Sequence, residues 1–333
     1  MRGKKRYAMN LFIIAFIICS LGTSITTNEV DSVHYNFTLI AKTNGGGTRP
    51  DILNILKQQL VPLGINLEII VQDWPTFVGE FINFRDFDLC YISLSGGGVD
   101  PDFTGVYDEN GSLNLFGYHT SMDWDEEIGT GRNEWYIQTG SEMISNGSQN
   151  QKEFCWEWQF YLMDDILPCL PLFTHKNDSS SLQILIFNLR EERPILGRQH
   201  PCPGYPSKPS NLAVKKAICY AINREEIRRV VFGVDYEITH HPVNPTNKSW
   251  LNPNIFKFCH NLQVGRAYMN VAGYGCGMPS NYGYDRWPDW EDVCGNNPTT
   301  ISVEGFSLEI ICISITLLSA VNLLCLTKRK RDA

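Results

Sequence analysis

Two carboxylates beside a triple glycine, in the run Ser95-Gly-Gly-Gly-Val-Asp-Pro-Asp102, are the residues of this chain best suited to holding a ligand. Glycine lets a backbone approach a bound molecule closely, and Asp100 and Asp102 offer acceptors for a cation or an amino group. Ser95, Gly97, Asp100, Asp102 and Phe103 are therefore the candidate ligand-binding residues. The bland reading of the same run is a turn, since Asp and Gly are ordinary turn residues. The glycines fit neither a dinucleotide fingerprint nor a phosphate loop, because no helix with a basic residue follows at the needed spacing. Asp100, Asp102, Thr104, Gly105 and Asp108 match the first half of a calcium loop, but its twelfth position is Gly111 where a bidentate Glu is needed. No metal is expected. Catalytic chemistry has little support: there is no Gly-x-Ser-x-Gly and no His-Glu-x-x-His. His240 and His241, ahead of Pro242, read as a loop pair, and Asp123, Asp125 and Glu126 as the exposed acidic start of a helix. The chain is read as a non-enzyme with no catalytic residue and no cofactor.

The elements that must position this loop are legible around it. Tyr35-Asn-Phe-Thr-Leu-Ile alternates as a half-buried strand, and Asn44-Gly-Gly-Gly47 marks a turn. Thr48 is placed to cap a helix that opens on Arg49, Pro50 and Asp51 and carries Ile52, Leu53, Ile55, Leu56 and Leu60 on one face. Pro62 and Gly64 stop it, and Ile65-Asn-Leu-Glu-Ile-Ile-Val71 gives a second strand, completing a right-handed parallel unit. Asp73 or Thr76 caps a short helix, and Phe87-Asp-Leu-Cys-Tyr-Ile-Ser-Leu94 is a third strand. Ligands of open α/β sheets bind outside the carboxyl ends of strands, which is where residues 95–102 fall. Further on, Glu153-Phe-Cys-Trp-Glu-Trp-Gln-Phe-Tyr has helical spacing, so its aromatics read as core. Leu170-Pro-Leu-Phe and residues 182–188 read as strands. Ser210 is expected to cap a helix over residues 211–222, Asn223 and Glu226 to form a capping box for a second helix ending at Gly233, and Asn261 to start a third closed by Gly273.

Composition is that of a globular domain, 43% hydrophobic and 12% aromatic. Net charge is −8, and basic residues crowd both ends, so the domain between them is strongly acidic and unsuited to nucleic acid. Arg2, Lys4, Lys5 and Arg6 precede an apolar run in the layout of a secretory signal, residues 1–24. A second apolar run, residues 306–327, is expected to cross a membrane, with residues 328–333 as its cytoplasmic basic tail. Between them lie residues 35–189, a Pro-rich connector over residues 190–210, residues 211–275, and a loop and stalk over residues 276–305. Cys90, Cys155, Cys169 and Cys219 sit in apolar contexts as core thiols, while Cys276 and Cys294 are placed to bridge a loop. Five sequons, at Asn36, Asn110, Asn146, Asn177 and Asn247, suit an external surface.

Val214-Lys-Lys-Ala-Ile-Cys-Tyr-Ala-Ile-Asn-Arg-Glu-Glu226 resembles the V-R-x-A-I-x-Y-A-I-D-R-E helix pair of extracellular solute-binding protein family 5, the oligopeptide and dipeptide-binding components of ABC importers. Residues 265–274 resemble that family's A-x-x-L-L-x-x-A-G-Y element. Residues 52–70, 73–77 and 87–102 resemble its lobe segment ending in a W-x-x-D-x-x-D-P loop. The order of these blocks is reversed here, which implies a circularly permuted lobe, and the family's other lobe has no visible counterpart. The resemblance implies an α/β fold, a single periplasmic-binding-protein-like lobe of mixed sheet flanked by helices. It implies a membrane-anchored extracellular receptor for a peptide or other small solute, partnered by an ABC permease and by a second chain supplying the missing lobe. The alternative is a surface scaffold or adhesion protein, or a non-functional truncated receptor, that retains one lobe. The family's amino-group-binding Asp corresponds to Gly97 and its Trp to Leu94, so peptide capture by that route is not expected.

Overall fold

Phe37–Asn44 forms β1, with Leu39, Ala41 and Thr43 fully buried on one face and Lys42 nearly so on the other, so it is an interior strand. The structure, a computed structural model, describes residues 36–95, 105–143, 149–176, 181–203, 205–244 and 248–275. These belong to one compact unit, Met1–Pro288. A second unit, Asp289–Ala333, lies outside the described residues, as do the expected signal segment, transmembrane helix and basic tail. Among the described residues no helix is long and apolar enough to cross a membrane.

After β1 comes α1 (Arg49–Leu60), whose Ile52, Leu53, Leu56 and Leu60 recur at helical spacing and are buried. Thr48 stands at its N-cap but makes no side-chain cap bond, contrary to expectation; Pro50 in the first turn supplies the helical start instead. The turn after α1 closes at Gly64, whose φ of 70° favours glycine; a Cβ there would come within 2.6 Å of Asn36 Nδ2. β2 (Ile65–Gln72) then pairs parallel with β1 over eight positions, from Phe37 opposite Ile65 to Asn44 opposite Gln72. Asp73 caps α2 (Trp74–Val78), accepting from Thr76 N at 3.1 Å. A wider turn carries the chain on to Arg85, and β3 (Leu89–Ser95) joins the other side of β1 in parallel.

The middle of the chain contributes a small hairpin, β4 (Trp124–Asp125) and β5 (Thr130–Gly131), then α3 (Arg132–Met143) and α4 (Gln149–Tyr161). Asp125 lies in the hairpin and the helix starts only at Arg132, which corrects the reading of Asp123, Asp125 and Glu126 as a helix start. In α4, Gln151, Cys155, Trp158 and Gln159 are buried, so its face is core, as its spacing indicates. β6 (Cys169–His175) and β7 (Ser181–Phe187) follow, and β7 runs antiparallel to β3 from Leu89 opposite Phe187 to Ser95 opposite Ser181. Within the stretch expected to be a bare connector, β8 (Pro201–Cys202) and β9 (Tyr205–Pro209) pair as a second hairpin.

Two helices, α5 (Ser210–Ala221) and α6 (Arg224–Ile227), lead to β10 (Tyr236–Ile238), and α7 (Leu262–Val271) follows. Ser210 is the first helical residue of α5 and not its cap, because Pro209 already holds the extended cap conformation. Asn261 caps α7 through Gln263 N and Val264 N, as expected, while only half of the expected capping box forms at α6: Asn223 caps through Glu226 N, but its own N–H goes to Gln59 Oε1 and not to the Glu226 carboxylate. The mixed sheet has the order β10-β6-β7-β3-β1-β2, with helices flanking it.

The C-terminal helices close on the N-terminal unit. Gly265 of α7 lies so near α5 that a Cβ would come within 3.1 Å of Ala217 O, and Tyr220 and Tyr268 stack at 5.7 Å. Gln59 of α1 donates to Glu226 at 2.8 Å and accepts from Asn223 N at 3.0 Å. The expected core thiols Cys90, Cys155, Cys169 and Cys219 are buried and free, as is Cys202. Cys259 is disulfide-bonded, a pairing its sequence context did not suggest; Cys276 and Cys294 lie outside the described residues.

Arg224 ties these parts together. Its guanidinium is buried and donates to Pro171 O at 2.9 Å, Thr239 O at 2.8 Å and Phe258 O, and contacts His240 Nδ1 at 3.0 Å. Since an arginine only donates, His240 Nδ1 must accept, so the ring is neutral. Burial, then the Arg224 charge, push the His240 pKa down to about 2. His240 and His241 lie in a loop, as read, but half-buried there. Replacing Arg224 by Met strands three buried carbonyls and should cost about 3 kcal/mol or more in urea unfolding. Because the unfolded His240 takes up a proton below 6.5 and the folded one does not, His240 should contribute a fall in stability approaching about 1.4 kcal/mol per unit as pH drops below 6.5, added to the smaller contributions of His241 and His260, whose pKa values burial also lowers. His240→Asn, which keeps the acceptor and cannot titrate there, should reduce that slope.

Candidate functional site

Ser95, the one expected ligand residue that is described, ends β3 opposite Ser181 and is exposed. Gly97, Asp100, Asp102 and Phe103 lie outside the described residues. Two cavities among the described residues lie elsewhere. Because β3 and β7 are antiparallel, Leu189 just past β7 lies at the amino end of β3, across the sheet from Ser95. A cavity of about 520 Å³ opens beside Leu189, bounded also by Ile166 before β6, by the β4–β5 hairpin, and by β9 and α5.

On its acidic side, Asp123 accepts from Tyr118 Oη at 2.7 Å, Tyr161 Oη at 2.8 Å and Asn133 N at 2.7 Å. Burial raises the Asp123 pKa, against the pull of these three donors. Burial, reinforced by the carboxylate, drives both tyrosines well above the usual phenol range, so they remain donors. Gly131 makes the cluster possible, since a Cβ there would collide with the Tyr118 hydroxyl and with Asp123 Oδ1. Asp125 is held by Arg132 Nη2 at 2.5 Å and by the N–H groups of Glu127 and Ile128. The Arg132 bond keeps its carboxyl below the usual range.

On the basic side stands Lys215, only 3% exposed, on a helix buried along almost its whole length. Its Nζ donates to Ile166 O at 2.6 Å, and no carboxylate faces it within ion-pair distance. Its neighbour Lys216 has Asp164 instead, and Lys208 at the rim stands 3.5 Å from Asp165. Burial pushes the Lys215 pKa down to about 7, with the Lys216 charge adding to the shift. The cavity therefore sets a carboxylate cluster against a desolvated amine, between apolar walls of Ile166, Leu189 and Leu212. Such a site can hold a small molecule that carries both a donor and an acceptor.

Glu109, His119 and Ser121 form a relay elsewhere, with His119 Nε2 3.0 Å from Glu109 and Nδ1 2.9 Å from Ser121 Oγ. His119 Nδ1 also accepts the Ser121 backbone N–H at 3.1 Å, and the side chain is 63% exposed. Its lone pair serves as the cap of a single turn, Thr120–Met122, which accounts for the geometry without catalysis.

No protein-family model, no curated protein and no solved structure matches this chain. Sequence reasoning missed Asp123 as a half-buried acceptor of three donors and Lys215 altogether. The one local signal was Lys215-Lys216 in the middle of an otherwise apolar helix, where a charged residue must find a partner or lose its proton.

Lys215 gives a signed prediction. Between pH 7 and 10.5 the unfolded chain holds a proton on Lys215 that the folded chain has lost, so stability should rise by a few kcal/mol across that window and be lowest below it. Lys215→Met should abolish that rise and raise the urea midpoint at pH 6. An unchanged pH profile in the variant would place the titrating group elsewhere.

Proposed function

We propose that this domain is a solute receptor, capturing a small polar solute in the cavity between Asp123 and Lys215 at the outer face of a membrane. The carrying observation is the pairing, across one cavity, of a carboxylate held by three donors with a buried amine that lacks a counter-charge. A solute with an acceptor for Lys215 and a donor for the Asp123 and Asp125 side compensates both. Peptides and amino acids have that character, as do many other small polar solutes.

The resemblance to one lobe of the family 5 solute-binding proteins agrees with this reading. Its blocks, far apart and reversed in sequence, pack here into one core through the Gln59 bonds to Glu226 and Asn223 and through the Phe37 and Tyr274 rings, 4.8 Å apart. In that reading the chain is a permuted lobe of a periplasmic-binding-protein-like fold. Its C-terminal segment serves as the membrane anchor, an ABC permease takes the solute, and a second chain supplies the other wall of a cleft. Gly97 in place of the family's Asp fits a ligand held at another position.

Thermal unfolding of the full-length protein with a panel of short peptides, amino acids, sugars and polyamines tests this. A ligand that binds only the folded state at about 100 times its Kd adds about 2.7 kcal/mol. Zwitterionic solutes should raise the midpoint, and Asp123→Asn and Lys215→Met should each reduce the rise. A cooperative transition that no class of solute moves would remove the receptor reading in favour of a scaffold.

A further inference from the structure

A second cavity of about 670 Å³ adjoins the first, with Met122 lining both and Tyr118 reaching from one to the Asp123 of the other. Two arginines face into it, and they are held very differently. Arg190 is fully engaged: Nη1 donates to Phe84 O at 3.0 Å, and Nη2 pairs with Glu192 at 2.7 Å. Its stem lies over Gly117, where φ is 73° and a Cβ would collide with Arg190 Cγ. Among the described residues the Arg85 guanidinium has no hydrogen bond and no ion pair, and its Nε is buried without a partner.

The backbone around Arg85 explains how that side chain is kept in place. Arg85 has φ 48°, in the left-handed region that non-glycine residues rarely occupy. Its carbonyl accepts from Asn188 Nδ2 at 2.8 Å, Arg193 Nη2 at 3.2 Å and Phe87 N at 3.0 Å. Asn188 is itself fully buried, with Nδ2 also donating to Phe87 O at 2.7 Å. A clamp of this kind fixes the direction of a side chain that contributes no bond of its own to the fold. Arg85 is half-buried; burial and then the nearby Arg190 charge lower its pKa, and no acid pairs with it among the described residues. Such an arrangement costs stability unless something else supplies the acceptor.

We propose that this second cavity is a carboxylate-binding site, in which the Arg85 fork receives the two oxygens of a small organic acid and the remaining volume holds its body. Guanidinium and carboxylate match as two parallel N–H···O bonds. A monovalent head group fits better than a phosphate, because Glu109, Glu191 and Glu192 also line the cavity and oppose a dianion. The site goes beyond the solute receptor proposed above: it uses other residues and does not require the first cavity to be filled.

The test is calorimetric titration of the full-length protein with benzoate and butyrate, each beside its uncharged amide, benzamide and butyramide, and with inorganic phosphate. The acids should bind, the amides should not, and rising salt should weaken binding. Arg85→Met should lose at least tenfold in acid affinity. Arg85→Lys, which keeps the charge and loses the fork, should fall in between. Because the Arg85 side chain bonds to nothing in the fold, both variants should unfold at or above the wild-type midpoint. Acid affinity unchanged in Arg85→Met, amides bound as well as acids, phosphate bound in preference, no binding of any probe, or a clear loss of stability in both variants would each overturn the assignment. Acid binding at Arg85 with no response to the zwitterion panel would retain this site and remove the first-cavity receptor, so the two readings fail separately.

Discussion

A single buried guanidinium organises the half of the molecule that carries the first cavity. Arg224 donates to carbonyls on β6, beyond β10 and in the segment before α7, and one rigid fork reaches all three. Among the described residues no carboxylate pairs with it; the charge is spread over main-chain dipoles and the lone pair of His240. Because Arg224 begins α6 directly after α5, the same bonds set where α5 lies, and α5 carries Lys215 and Asn211 to the cavity wall. Three bonds to neutral acceptors return part of the cost of desolvating the charge. The geometry they impose is specific, and no shorter or apolar side chain at this position could reproduce it.

The two cavities follow from a shared economy of charge. Asp123 is half-buried and has three donors, Asp125 has Arg132, Lys216 has Asp164, and Arg190 has Glu192. Against that background Lys215 and Arg85 stand out, the first with one carbonyl and the second with nothing. A cation taken out of water without a counter-charge lowers stability; Lys215 is such a group in full and Arg85, half-buried with its Nε enclosed, in part, and each lies on the wall of a cavity. Compensation from a bound acid is the simplest physical account of both, and Met122 and Tyr118 make the two cavities neighbours.

Much of the fold can be read from local sequence. β1, β2 and β3, the buried face of α1, the Asp73, Asn223 and Asn261 caps and the Gly64 and Gly273 stops depend on periodicity and on chemistry within a few residues. The site is less legible because its parts are distant in sequence: Asp123 meets Tyr161 across 38 positions, and Lys215 reaches Ile166 across 49. Asp123 reads as an exposed acid until α4 folds over it. Arg85 looks like an ordinary surface residue between Phe84 and Asp86, because the Asn188 that clamps its carbonyl lies about a hundred residues away. The loop rule for α/β sheets directed attention to the carboxyl end of β3, while both cavities flank its amino end, where β7 runs out.

Hydrogen exchange of the full-length protein with and without a solute that raises its unfolding midpoint tests most directly whether this end of the sheet is the binding end. The account predicts slowed exchange in residues 120–132, 161–166 and 199–215, the segments that wall the first cavity. Protection confined to residues 94–104, with those walls unchanged, would contradict it and return the site to the glycine-rich loop.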